Sequence, residues 1–216
     1  MKSKLIVALD VDTFAEAAAL VNDLSPVVEI FKVGSQLFTR VGPRMLDHIH
    51  QTGRQVFLDL KFHDIPNTVA KAVAAAAAHK VFMLTVHASG GAEMLQAAAQ
   101  VTGRPMIVGV TVLTSVAGDV QAEVLSRARL CQTAGLDGVV ASPQELPALR
   151  QKYGEQFVIV TPGIRPAWAA TGDQKRIMTP AEAIAAGATY LVVGRPILAA
   201  ADRKEAAERV LAEMGS

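Results

Sequence analysis

The segment Leu58-Asp59-Leu60-Lys61-Phe62-His63-Asp64-Ile65-Pro66-Asn67-Thr68 sets a carboxylate, an ammonium and a second carboxylate close together at the end of an apolar run. Side chains of a strand alternate between its two faces, so Asp59 and Lys61 share one face while Leu58 and Leu60 take the other. Burying such an ion pair is expensive, and apolar residues of similar size often stabilise a protein more. A purely structural salt bridge is therefore the weaker account of the pair. Asp10 closes Val7-Ala8-Leu9-Asp10, and Lys32 lies in Ile30-Phe31-Lys32-Val33-Gly34. Taken singly, each is an ordinary strand-end charge. Together with Asp59, Lys61 and Asp64 they form an alternating set of acids and bases suited to converging on one small ligand.

Two further segments have the chemistry of a phosphate grip. Gly194-Arg195-Pro196-Ile197 combines a free glycine amide, an arginine and a helix start directly after an apolar run. The stretch from Thr161 to Met178 is long for a connection and carries Arg165 and Gln174. The guanidinium fork matches phosphate oxygens, and a loop of this length can close over an anion and exclude water.

The elements that must hold these residues are legible as alternation. Short runs rich in Val, Ile, Leu and Phe recur between longer Ala-rich amphipathic stretches, the pattern of βαβ units. Strands are predicted over Leu5–Leu9, Glu29–Val33, Gln55–Leu60, Phe82–Val86, Met106–Val110, Gly138–Val140, Phe157–Val160 and Tyr190–Val193. Gly53, Gly103, Gly135, Gly154 and Gly187 are read as helix stops. Eight β/α units in 216 residues point to a closed (β/α)8 TIM barrel of the α/β class, a single domain over 1–216. In such a barrel the charged strand ends and the long loop after strand seven share the C-terminal face, where active sites assemble.

Composition narrows the function classes. Hydrophobic residues make up 51% and charged residues 19%, as expected of a sheet buried on both faces. Twenty-one Lys and Arg nearly balance 20 Asp and Glu, so neither nucleic acid nor an acidic membrane is expected as a partner. The one cysteine, Cys131, belongs to no Cys/His cluster and reads as core filler in a reducing compartment. Met1 to Asp10 enters a strand at once, with no signal-peptide pattern, and the alanine-rich run 69–78 is too short and too closely flanked by Lys71, His79 and Lys80 to span a membrane. A cytoplasmic protein is expected.

Along essentially its whole length the chain resembles the orotidine 5′-phosphate decarboxylase family. The resemblance rests on Asp10, Phe31-Lys32-Val33-Gly34, Asp59-Leu60-Lys61 with Asp64-Ile65-Pro66-Asn67-Thr68, Leu113-Thr114-Ser115, Thr161-Pro162-Gly163-Ile164-Arg165, Gly172-Asp173-Gln174 and Gly194-Arg195-Pro196. It implies a cofactor-free decarboxylation of orotidine 5′-monophosphate to uridine 5′-monophosphate and carbon dioxide, in de novo pyrimidine biosynthesis. It also implies a homodimer whose site is shared: Lys32, Asp59 and Lys61 with Asp64 of the partner subunit as the charge network. The same resemblance assigns Asp10 and Lys32 to the ribose together with Thr68 from the partner, Thr114 to the pyrimidine edge and Pro162 beside the base. Arg165, Gln174, Gly194 and Arg195 are assigned to the phosphate. Lys61 is expected to stabilise a C6 carbanion and then to protonate it.

Two rival readings separate on the same residues. Metal-dependent sugar-phosphate decarboxylases, such as those acting on 3-keto-L-gulonate 6-phosphate, share the Asp-x-Lys-x-x-Asp pattern but use a carboxylate on strand two to help bind a divalent cation. This chain has Lys32 there, whose ammonium repels one, so no metal is expected. A noncatalytic nucleotide sensor would have little reason to keep Lys61 and both flanking aspartates. His63 and His87 lack a metal-ligand partner at a useful spacing and read as packing residues. Trp168 reads equally as part of a lid or as a half-exposed loop aromatic.

Overall fold

β-branched side chains pack well on a pleated surface, and each short apolar run of the sequence is extended. The computed structural model describes residues 4–113, 116, 118–169 and 178–215. Its strands are β1 (Lys4–Ala8), β2 (Ile30–Gly34), β3 (Gln55–Phe62), β4 (Met83–His87), β5 (Met106–Val110), β6 (Gly138–Val140), β7 (Val158–Thr161) and β8 (Tyr190–Val193). Every sequential pair is parallel, and β8 returns to β1, closing the barrel the alternation predicts. β3 runs two residues past its expected end at Leu60, and that extension carries Lys61.

The helices are α1 (Phe14–Leu24), α2 (Ser35–Val41), α3 (Arg44–Gln51), α4 (Pro66–Ala78), α5 (Gly91–Ala99), α6 (Gln121–Ala134), α7 (Leu146–Tyr153), α8 (Pro180–Ala185), α9 (Arg195–Leu198) and α10 (Arg203–Gly215). Two short helices, rather than one, follow β2, and α9 and α10 share the last unit. Local chemistry sets their ends. Thr13 caps α1 by accepting from the Glu16 N–H, Thr179 and Glu182 form a capping box on α8, and Gly135 ends α6 in the left-handed conformation that costs glycine nothing. No described helix is long and apolar enough to cross a membrane.

Alternation along the strands sorts the core into two shells. Ile6, Ile30, Phe57, Met83, Val108, Val158, Val160 and Tyr190 fill the barrel interior. Their neighbours in sequence, among them Val7, Phe31, Leu58, Leu84 and Ile159, point outward against the helices. Register binds the inner set: Ile6 pairs with Ile30, Phe57 with Met83, and Val108 with Gly138. A Cβ at Gly138 would overlap the Val158 carbonyl, so the residue must be glycine for β6 and β7 to approach. Cys131 is fully buried, and burial pushes its thiol up to about 12, the inert filler expected from sequence.

Arginines tie the N-terminal rim of the barrel. Arg150 donates to the carbonyls of Gly187, Gly154 and Phe157 and to Thr189 Oγ1, and Arg104 pairs with Asp137 at 2.5 Å. The opposite rim stays open, and the charged strand ends gather there.

Candidate active site

A cavity of about 260 Å³ opens at the C-terminal ends of the strands. Asp10, Lys32, Asp59, Lys61, Pro162, Arg165, Gly194 and Arg195 all line it. Two of them arrive there by following the inward positions of their strands: Lys32 lies two residues after Ile30, and Asp59 two after Phe57. Val110, Val140, Val160 and Val192 complete an apolar wall. β3 and β7 lie four strands apart around the closed barrel, so the charged cluster and the arginine-bearing segment after β7 face each other across the mouth.

Asp59 is the hub of the charges. Its Oδ1 accepts from Lys61 Nζ at 2.8 Å and from Thr85 Oγ1 at 3.0 Å, while its Oδ2 faces Lys32 Nζ at 3.6 Å. Lys32 also reaches Asp10 Oδ1 at 3.2 Å. The side chains of Lys32 and Asp59 are only 12% and 14% exposed, so these contacts operate largely out of water. Burial by itself pushes the Asp59 carboxyl up, but the charges of Lys32 and Lys61, with the hydrogen bonds from Lys61 and Thr85, outweigh it and hold the group below the usual carboxylate range. The result is a fixed anion with two ammonium groups aimed around it, at the floor of a cavity with an apolar wall of valines and two arginines at its edge.

Lys61 does not reach the cavity by simple strand alternation. On β3 the pairing jumps from Leu58, opposite Leu84, to Phe62, opposite Val86, so β3 spends four residues where β4 spends two. Inside this bulge Lys61 takes φ +52, a conformation that costs a non-glycine residue about 1–3 kcal/mol. Leu58 is buried in the outer shell as the alternation predicts, whereas Leu60 is only half-buried. The strain buys the aim of the ammonium.

Two of the expected residues do not join this cavity within the chain. Asp64 is exposed, its Oδ1 accepts from the Ile65 N–H at 2.6 Å, and it borders a separate groove with His63, Pro66, Gly90, Glu93 and Met94. Thr68 lies on the exposed side of α4. Thr114 and Gln174 fall outside the described residues, as does much of the long loop after β7. The described ends of that loop are joined: Ile164 bridges to Met178, and the Arg165 N–H donates to the Met178 carbonyl at 2.9 Å. Arg165 is buried at the cavity edge, and Arg195, the first residue of α9, is exposed.

The structure also resolves the side residues. His63 stacks on His87 with centroids 5.4 Å apart, and Ser89 Oγ sits 3.1 Å from His87 Nδ1. Trp168 leans away from the cavity: its Nε1 donates to Glu213 Oε1 on α10 at 3.0 Å, and the Arg209 guanidinium covers its ring at 4.3 Å. It clamps the stem of the long loop onto the last helix. Sequence reasoning missed Thr85, whose only signal is a polar residue at an inward position of an apolar strand. Among the described residues, no three His, Cys, Asp or Glu side chains are grouped to hold a metal ion.

Comparison with known proteins shows the family of the chain. The profile of the Orotidine 5′-phosphate decarboxylase / HUMPS family matches residues 3–210. The orotidine 5′-phosphate decarboxylase of Heliobacterium modesticaldum is 52% identical, with 99% of this chain and 96% of that protein covered. The enzyme of the same name from Halorhodospira halophila is 50% identical at the same coverage. Among solved structures, the orotidine 5′-phosphate decarboxylase of Lactobacillus acidophilus superposes with a TM-score of 0.86 at 36% identity, covering 99% of this chain and 100% of that one.

Proposed function

The chain belongs to the orotidine 5′-phosphate decarboxylase / HUMPS family, and from that premise we propose that it is a carboxy-lyase converting orotidine 5′-monophosphate to uridine 5′-monophosphate and carbon dioxide in pyrimidine biosynthesis. Full-length relatives at about half identity bear that name. The observation that carries the reading is the Lys32–Asp59–Lys61 array at the floor of a cavity whose far rim holds Arg165, Gly194 and Arg195.

Breaking the bond between C6 and the carboxylate leaves its electron pair on C6, in the ring plane and out of reach of the pyrimidine π system. Fixed cations are the available means of stabilising it. The Lys61 ammonium opposes that charge as it develops and then transfers its proton to C6, while carbon dioxide departs. Asp59 orients Lys61, and its repulsion of the substrate carboxylate is a secondary contribution. Asp10 and Lys32 hold the ribose, Pro162 flanks the base, and Thr114 reads the pyrimidine edge. Arg165, Gln174, Gly194 and Arg195 grip the phosphate, whose binding energy far from C6 helps assemble the reactive arrangement.

A second copy of the chain completes the site in this reading, supplying Asp64 and Thr68. Support comes from their exposure away from their own cavity, beside Ile65, which is 66% exposed. No cofactor is assigned. Lys32 stands among the acids where a metal-dependent relative would need a carboxylate, and its ammonium is 3.2 and 3.6 Å from Asp10 and Asp59. The cytoplasm is the assigned compartment.

The test is direct. The purified chain should release carbon dioxide from orotidine 5′-monophosphate. Arg195→Ala should raise KM strongly, whereas Lys61→Ala should nearly abolish turnover while a product analogue still binds. Equal and mild effects of both substitutions would contradict these roles.

A further inference from the structure

β4 contributes a residue that no motif marks. Thr85 is fully buried, at an inward position opposite Val108 of β5. Its hydroxyl makes two bonds of opposite sense. Oγ1 accepts the Lys61 backbone N–H at 2.8 Å and donates its own proton to Asp59 Oδ1 at 3.0 Å. A hydroxyl has a single proton, so the donation to Asp59 leaves its lone pairs for Lys61.

The position of these bonds gives them a purpose. Lys61 lies in the bulge of β3, with φ +52, where the ladder to β4 is interrupted and its N–H has lost the regular strand acceptor. Thr85 supplies the replacement. The same oxygen atom of Asp59 that receives the Thr85 proton also receives Lys61 Nζ at 2.8 Å. One hydroxyl thus closes a ring through the backbone of Lys61, its side chain and the carboxylate of Asp59. We propose that Thr85 is a positioning residue of the decarboxylation, fixing the bulge that aims the Lys61 ammonium and the rotamer of the Asp59 carboxylate that orients it. This inference rests on the reaction assigned above.

Thr85→Val keeps the shape and removes only the hydroxyl, and Thr85→Ser keeps the hydroxyl and removes a methyl group. Valine would leave a buried N–H and a carboxylate lone pair without their partner, and loss of one bond to a charged group in such a site lowers kcat by about 10- to 100-fold. Substrate KM should stay within about threefold, because Thr85 lies outside the cavity lining that includes the phosphate-gripping arginines. Serine should restore kcat to within about threefold of the parent. A valine variant with kcat within twofold of the parent overturns the proposal, and so do valine and serine variants impaired alike. Should valine prevent folding, Thr85→Ala compared with Thr85→Ser makes the same distinction. A crystal structure of the hydroxyl-free variant separates this inference from the assignment of the reaction. If the parent chain fails to decarboxylate orotidine 5′-monophosphate, that assignment falls, while Lys61 leaving its positive φ still supports the clip and an unmoved Lys61 overturns it.

Discussion

Replacing Asp59 by asparagine removes one charge and almost no volume, so its consequences can be worked from the geometry. At an effective dielectric near 20, unit charges at 2.8 and 3.6 Å, the separations of Asp59 from Lys61 and Lys32, attract by roughly 6 and 5 kcal/mol. These gross values are offset by the cost of keeping three charges out of water, which is why a buried ion pair is weak evidence of stability by itself. Removing one partner is different, because the others stay behind. Lys32 retains Asp10 at 3.2 Å, whereas among the described residues Lys61 has no second carboxylate within 4 Å. Breaking a buried pair in this way typically costs about 3–5 kcal/mol. Lys61, with 36% of its side chain exposed, can turn toward solvent, which places the expected loss near the lower end of that range. For a domain of this size about 3 kcal/mol lowers Tm by roughly 6–12 °C. Turnover should suffer more than stability. An ammonium released from its anchor loses the aim that makes it useful, and misplacing one electrostatic group of this kind costs about 10²–10³ in kcat. The checks are a thermal melt and a continuous decarboxylation assay on Asp59→Asn at pH 7. A variant with kcat within tenfold of the parent would refute the argument that Asp59 sets the position of Lys61.

Acid should weaken the fold in two stages. Burial first, then the charges of His63, Arg127 and Lys61, lowers the His87 pKa, and burial likewise lowers that of His50. The unfolded chain therefore takes up protons near pH 6.5 that the folded chain resists, so stability falls as pH drops through that region. Asp59 contributes in the other window: its folded pKa lies below the unfolded value, so its stabilisation is full above about pH 4 and fades below it. Tm measured against pH should show both falls, with Asp59→Asn flattening the lower one; an unchanged lower limb would refute the assignment. Trp168→Ala removes the bond to Glu213 and the Arg209 stacking, unseating the stem that carries Arg165. Substrate KM should rise about tenfold with a smaller change in kcat, the pattern of lost ground-state binding, and an unaltered KM would show that the clamp does not serve substrate binding.

The barrel itself was legible because its signals are local. Eight apolar runs, their spacing and the glycines between them reproduce every strand to within two residues at either end. Asp10, Lys32 and Asp59 group together on sequence grounds alone, since strand alternation and a closed parallel sheet place their side chains on one inner rim. The arginines after β7 and β8 follow from the same rule. Up to that point each residue answers to its neighbours one or two positions away.

Beyond it the deciding contacts join residues far apart in the chain. Strand alternation puts Lys61 on the face of Asp59, but the ammonium reaches the cavity through a register jump against β4 and a left-handed backbone, neither of which a period of two encodes. Thr85, 24 residues from Lys61, is one polar residue in a strand until pairing brings its hydroxyl to the bulge. Trp168 has two open roles until α10, 45 residues on, supplies Glu213. Side-chain type and local spacing are written into the sequence, whereas which group satisfies a buried donor or charge depends on register and closure, and those exist only once the chain has folded.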